Sequence, residues 1–151
     1  MGRFATGVVV LTANEADGRP VGMTANSLAS VSLDPPLVSI CVEHQADMYH
    51  AMTAAREFLV NILSADQEMI SRRFAGGNRE NRFEGIGYRL SPTGGGLVIL
   101  DGILAFIECE RFAQYPLGDH TLFVGRVTGG ATGEGRPLLY YRGGYSELNR
   151  G

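Results

Sequence analysis

Residues Gly22 to Val42 read GMTANSLASVSLDPPLVSICV. Two apolar, strand-like runs flank a stretch of small and hydroxyl-bearing residues: Thr24, Ala25, Asn26, Ser27, Ser30 and Ser32. Pro35 and Pro36 stand at the mouth of the second run, where no ladder N–H is required. Side chains this small let a flat ligand approach the backbone closely. Hydroxyls, an amide and free backbone N–H groups are then available to hold its polar edge. The same stretch also reads as a plain strand end rich in turn-forming polar residues.

Working outward, Gly7-Val8-Val9-Val10-Leu11-Thr12 is β-branched and predicts a strand. Asp17-Gly18 predicts a hairpin that returns through Val21-Gly22-Met23. Residues 37–42, 58–63, 97–100, 103–112, 122–128 and 138–141 read as further strands, with Pro116-Leu117-Gly118-Asp119 turning the chain between two of them. Two helices are predicted. Residues 46–55 place Tyr49, Met52 and Ala55 at helical spacing. Residues 64–74 open with Ser64 and Gln67 as a capping box, and Met69, Ile70 and Phe74 share a face. Residues 75–90 carry no clean period and read as a long surface loop, a length that often serves function. About seven strands and two helices, punctuated by 21 glycines and 6 prolines, predict a mostly β fold. A closed or partly closed antiparallel barrel fits best, with a sandwich as the alternative.

A chain of 151 residues is most simply one domain, with no linker or internal repeat. Hydrophobic residues make up 44% and charged residues 19%, which argues against disorder. The formal charge of −3 comes without a basic stripe, so nucleic acid and anionic membrane are not expected partners. All 13 basic residues are arginine, and the absence of lysine excludes a Walker-type phosphate loop and Schiff-base chemistry. Cys41 and Cys109 fall in apolar runs and read as buried, reduced thiols. No Cys/His cluster has zinc spacing, so no metal is expected. No apolar run approaches a membrane span and no signal peptide appears, which points to the cytoplasm.

Three segments carry candidate chemistry. Thr24-Ala25-Asn26-Ser27 is the first, with Cys41-Val42-Glu43-His44-Gln45-Ala46-Asp47-Met48 leading from a strand into a helix start, which suits an anion. The second is Gly118-Asp119-His120-Thr121 before an apolar strand, where a lone histidine more often plays a structural part. The third is Pro137-Leu138-Leu139-Tyr140-Tyr141-Arg142-Gly143-Gly144-Tyr145, whose aromatics suit either ring stacking or a half-buried final strand. No Gly-x-Gly-x-x-Gly dinucleotide fingerprint follows a strand.

With Val31-Ser32-Leu33-Asp34-Pro35-Pro36-Leu37-Val38 following the first segment, the ordered set resembles the flavin reductase-like family over residues 4–145. The resemblance implies a split β-barrel that passes a hydride from NADH or NADPH to FMN or FAD. It implies a flavin held by Thr24, Ala25, Asn26 and Ser27 and by Cys41, Val42, His44, Ala46 and Met48, with Phe74 and Arg82 toward its tail. Relatives commonly place Ser/Thr hydroxyls where this chain has Ala46, Asp47 and Met48. Asp47 opposes a phosphate there, and the arginines of 71–74 or Arg79 and Arg82 are placed to compensate. His120 is implied on the nicotinamide side, beside Tyr140, Tyr141, Arg142 and Gly143, positioning the carboxamide or tuning local charge. A homodimer completing the site, a partner monooxygenase that takes the reduced flavin, and an N-terminal segment ahead of Phe4 are further implications. Two other readings remain: a non-catalytic flavin-binding or electron-relay module of the same fold, and a barrel for another planar ligand.

Overall fold

The structure is a computed structural model describing residues 1–93 and 95–149. In chain order its elements are β1 (Thr6–Gly7), β2 (Val9–Asn14), β3 (Pro20–Ala25), β4 (Ala29–Leu33), β5 (Pro36–Glu43), α1 (Asp47–Ala54), β6 (Glu57–Ile62), α2 (Glu68–Ala75), β7 (Tyr88–Leu90), β8 (Val98–Leu100), β9 (Ala105–Leu117), β10 (His120–Thr132), β11 (Leu138–Tyr141) and β12 (Gly144–Glu147). Seven strands form one antiparallel sheet in the order β3-β2-β6-β9-β10-β5-β4.

Chain connectivity curls that sheet. Laid flat, seven strands span about 29 Å from edge to edge at roughly 4.8 Å per neighbour. Yet the two edge strands, β3 and β4, are consecutive in the chain, joined by Asn26, Ser27 and Leu28 alone. Four Cα steps reach at most about 14 Å. The edges must therefore face each other, and the sheet becomes a barrel left open along one seam. The split-barrel expectation holds, and the sandwich does not.

The barrel interior is filled by alternate residues of each strand. Val9, Leu11, Ile40, Val42, Phe58, Val60 and Phe123 pack there, and α1 adds Met48, Ala51 and Met52. The opposite face of β2 is buried too. Val8 and Val10 pack with Leu63, Phe74, Val98, Leu100 and Leu138 beneath α2, β8 and β11. Asn61 ties these layers together: its amide donates to the Val10 carbonyl at 3.2 Å, and its oxygen accepts from the Leu100 N–H at 2.9 Å.

Several boundaries differ from the sequence reading. The first strand is broken at Val8, because Gly7 pairs with Leu139 while Val9 pairs with Ala25 and Ile62. The second helix begins at Glu68, four residues after Ser64. Gln67 Oε1 does accept from the Ser64 N–H at 3.0 Å, but Ser64 bridges Pro137 and its hydroxyl meets the Gly102 carbonyl. Pairing with a distant strand holds Ser64 extended, so its half of the capping box is not made. β4, β7 and β12 were not legible. β4 reads ASVSL and is largely exposed, so it lacks the apolar alternation that marks a strand. The loop of 75–90 contains a 3-10 turn, Arg79–Asn81, as well as β7. Cys109 is buried as expected, whereas Cys41 is only half-buried.

Candidate functional site

The open seam is also where the first segment lies. A cavity of about 730 Å³ runs beside it, lined by Phe4, Thr6, Val9, Asn26, Ser27 and Ile62 among others. That volume falls in the usual range for small-molecule sites. Asn26 and Ser27 are exposed there, and Ala29 presents only a methyl group. Short side chains at Asn26, Ser27 and Ala29 therefore border one side of the cavity, with Phe4, Val9 and Ile62 also in its lining.

Two hydroxyls of the segment serve the fold. Thr24 Oγ1 donates to the Ser71 carbonyl at 2.6 Å, tying β3 to α2. Ser27 Oγ accepts from the Cys41 N–H at 3.0 Å and lies 3.3 Å from the Cys41 carbonyl, replacing a ladder partner beyond the end of β4. The Asn26 side chain makes no hydrogen bond to a described residue and is free to meet a ligand.

Strand register brings the second segment onto the adjoining outer face. Cys41 stands opposite Leu122, and Glu43 opposite His120. Alternation puts Cys41, Glu43, Leu122 and His120 outside, while Val42 and Phe123 point into the barrel. His120 is half-exposed, and its Nδ1 lies 2.6 Å from Asp119 Oδ1. That hydrogen bond, reinforced by the imidazole's charge, holds the Asp119 carboxyl below the usual carboxylate range. His44 does a different job. Its backbone N–H donates to the Asp119 carbonyl, its Nε2 lies 2.9 Å from Thr121 Oγ1, and its ring packs at a tilt, 4.8 Å from that of Tyr49. It joins β5, α1 and β10, so its ring is committed to the fold.

The third segment reaches the seam from its other side. Tyr140 of β11 pairs with Thr6, and the Arg142 N–H donates to the Gly2 carbonyl at 2.8 Å. Arg142 (φ 53°) and Gly143 (φ 76°) are both left-handed, the signature of a two-residue hairpin turn joining β11 and β12. Tyr140 packs edge-on against Tyr145 at 5.5 Å, and Tyr141 points outward. His120 does not line the seam cavity and makes no ring contact or hydrogen bond with Tyr140–Gly143. One chain therefore places Asn26 and Ser27 on the cavity, brings the third segment only as far as β1 through the Thr6–Tyr140 pair, and leaves His120 on the adjoining face.

Three expected contacts need correction. Val42, Met48 and Phe74 are core residues, at most 1% exposed, so their side chains do not face a ligand. Each sits on the inward side of its element: Val42 and Met48 pack in the barrel, and Phe74 lies under β3. Arg82 donates to the Gly22 carbonyl at 2.9 Å and lines a groove of about 500 Å³ together with Arg79. Ala46 caps α1 without a side-chain bond, and Asp47 in the first turn is paired with Arg79. Asp47 is thus neutralised where its charge was expected to repel a phosphate. Phe4 and Thr6 were missed as cavity residues. Only the pairing of β1 with β11 reveals them, because two residues carry no periodicity. Among the described residues no His/Cys/Asp/Glu cluster suits a metal, and no helix is long and apolar enough to cross a membrane.

Comparison with known proteins identifies the family. Residues 1–149 match the flavin reductase like domain, and the chain belongs to that family. It is 42% identical over 144 residues to a probable flavin reductase of Rhizobium meliloti, covering 95% of this chain but 45% of that protein. It therefore spans under half of that relative's length. The reductase subunit HsaB of a flavin-dependent monooxygenase from Rhodococcus jostii is 39% identical, with 98% of this chain and 74% of that one covered. Among solved structures, the Streptomyces globisporus NADH:FAD oxidoreductase SgcE6, in complex with NAD and FAD fragments, superposes with a TM-score of 0.92 at 37% identity, covering 99% of this chain and 88% of that one.

Proposed function

We propose that this chain is an NADH-dependent flavin reductase whose ligand slot is the seam between β3 and β4. The observation that carries the reading is the open cavity beside Asn26 and Ser27, in a family member whose barrel edges are held apart there. Flavin, when bound, is the acceptor of the nicotinamide's hydride. The Asn26 amide and the backbone N–H groups of 26–28 would hold its polar ring edge. Small residues Ala25 and Ala29 allow close approach of the ring to the strands. His120, steadied through Nδ1 by Asp119, offers Nε2 to the donor's carboxamide. Orientation of two rings is the main contribution expected of the protein.

A second copy of the chain completes the site in this reading. Leu117 and Tyr115 of β9, opposite His120 and Leu122 in register, are more than half exposed, as is Phe112 further along the strand. That apolar surface would bring His120 toward a partner's seam. Reduced flavin would then pass to a separate monooxygenase, as the description of HsaB as a reductase subunit suggests by analogy. The chain would act in the cytoplasm, with NADPH as a weaker alternative donor.

Anaerobic mixing of the purified protein with FMN or FAD, then with NADH or NADPH, tests this. Loss of flavin and nicotinamide absorbance at matching rates is expected, faster with NADH. A protein that binds flavin and never oxidises either nicotinamide is a passive carrier. One that binds no flavin is neither.

A further inference from the structure

Thr6 stands where the two sides of the seam meet. It lines the cavity with Asn26 and Ser27, and its backbone is held opposite Tyr140 in the β1–β11 pair. Its Oγ1 is closed off from solvent and has no hydrogen-bond partner among the described residues. Buried hydroxyls almost always have a partner, and an unpartnered one lowers the stability of the fold that carries it. The neighbouring hydroxyls give no relief, since those of Thr24 and Ser27 are engaged with Ser71 and Cys41.

The surroundings leave Thr6 one freedom. The Arg142 N–H holds Gly2, and the Phe4 N–H closes a turn on the Met1 carbonyl, so the segment before β1 is anchored at both ends. The side chain can change only by passing between the few staggered χ1 wells open to a β-branched residue. Rotation from one well to another re-aims the hydroxyl without moving the backbone.

We propose that Thr6 is a ligand-responsive positioning residue: its hydroxyl turns into the seam cavity when a planar ring amide arrives and forms there the hydrogen bond it lacks in the free protein. The chemistry it recognises is a ring carbonyl beside an N–H. The pyrimidine edge of a flavin carries that group, and the carboxamide of a nicotinamide carries a near equivalent. The inference rests on the flavin reductase reading.

Thr6→Val and Thr6→Ser test it against the wild type. Valine keeps shape and β-propensity and removes the hydroxyl; serine keeps the hydroxyl. The ligand-free Thr6→Val protein should melt at or above the wild-type temperature, because no hydrogen bond is lost. Its flavin dissociation constant, from fluorescence quenching, should rise about tenfold, with Thr6→Ser within about twofold of wild type. An unchanged flavin constant with a tenfold higher KM for NADH assigns the bond to the carboxamide. The proposal is overturned if Thr6→Val leaves both constants at wild-type values. It is equally overturned if Thr6→Val melts well below wild type while Thr6→Ser does not, since the hydroxyl then serves the free fold. Wild-type protein that binds no flavin defeats the functional reading and this proposal together, an outcome distinct from equal binding by wild type and variant.

Discussion

The two cysteines show how far environment separates identical residues. Cys109 is buried between β6 and β10, and desolvation, with a smaller contribution from Glu108, pushes its thiol up to about 12. The thiolate is the reactive form, so Cys109 stays inert at neutral pH. Cys41 is half-buried on the outer face. A maleimide at neutral pH should therefore give one adduct, at Cys41, with Cys109 modified only after unfolding; mass spectrometry of the labelled peptides checks this. His120 makes a second expectation. His120→Ala should lower kcat/KM for NADH about tenfold, the loss of one well-placed hydrogen bond, while the flavin dissociation constant stays within about twofold. Because Asp119 is held below the ordinary carboxylate range, it remains ionised as pH falls through the usual carboxylate values. Its contact with His120 should persist there and be lost only at lower pH, when Asp119 takes up a proton. Nuclear magnetic resonance titration of the Asp119 carboxyl would show this, and His120→Ala should return it to the ordinary range.

At the scale of elements, two glycines set how closely strands meet their neighbours. A Cβ on Gly22 of β3 would sit 2.6 Å from the Phe74 ring, and Phe74 is fully buried with Phe83 edge-on at 5.1 Å. A Cβ on Gly125 of β10 would meet the Phe58 ring at 2.6 Å and Cys109 Cβ at 2.8 Å. In both places the obstacle is packed core. Gly22→Ala and Gly125→Ala should each destabilise by about 1–3 kcal/mol, read as a lower denaturation midpoint with an unchanged slope. Strong local signals made the hairpin at Asp17-Gly18 and the strand after Pro36 legible in advance. Ser64 shows the opposite case. Its capping pattern is real, yet a bridge to Pro137 holds it outside the helix. The partner lies more than seventy residues away, where no local pattern announces it.

At the scale of the whole molecule, the exposed face of β9 and β10 gives the dimer reading its test. Leu117 is 59% exposed at the end of β9, opposite His120 in register. Leu117→Asp should leave the fold intact, because most of the side chain stands in solvent and it belongs to no core cluster. It should yield a monomer by light scattering and weaken flavin binding at least tenfold if the second copy completes the slot. A dimer that persists with unaltered affinity would refute that arrangement.

Local chemistry along the chain was enough to announce a small β-rich domain, most of its strands and the polar stretch at Thr24–Ser27. Propensity, turn residues and spacing act over a few neighbours, and neighbours in sequence can be read directly. Which hydroxyl is committed and which is spare could not be read that way. Thr24 gives its proton to a residue 47 positions on, Ser27 is matched to Cys41, and Thr6 is left beside a strand that begins at Leu138. Those pairings join segments far apart in the chain, on a helix, on a neighbouring strand and in a separate three-stranded sheet, so they exist only once these elements have packed together.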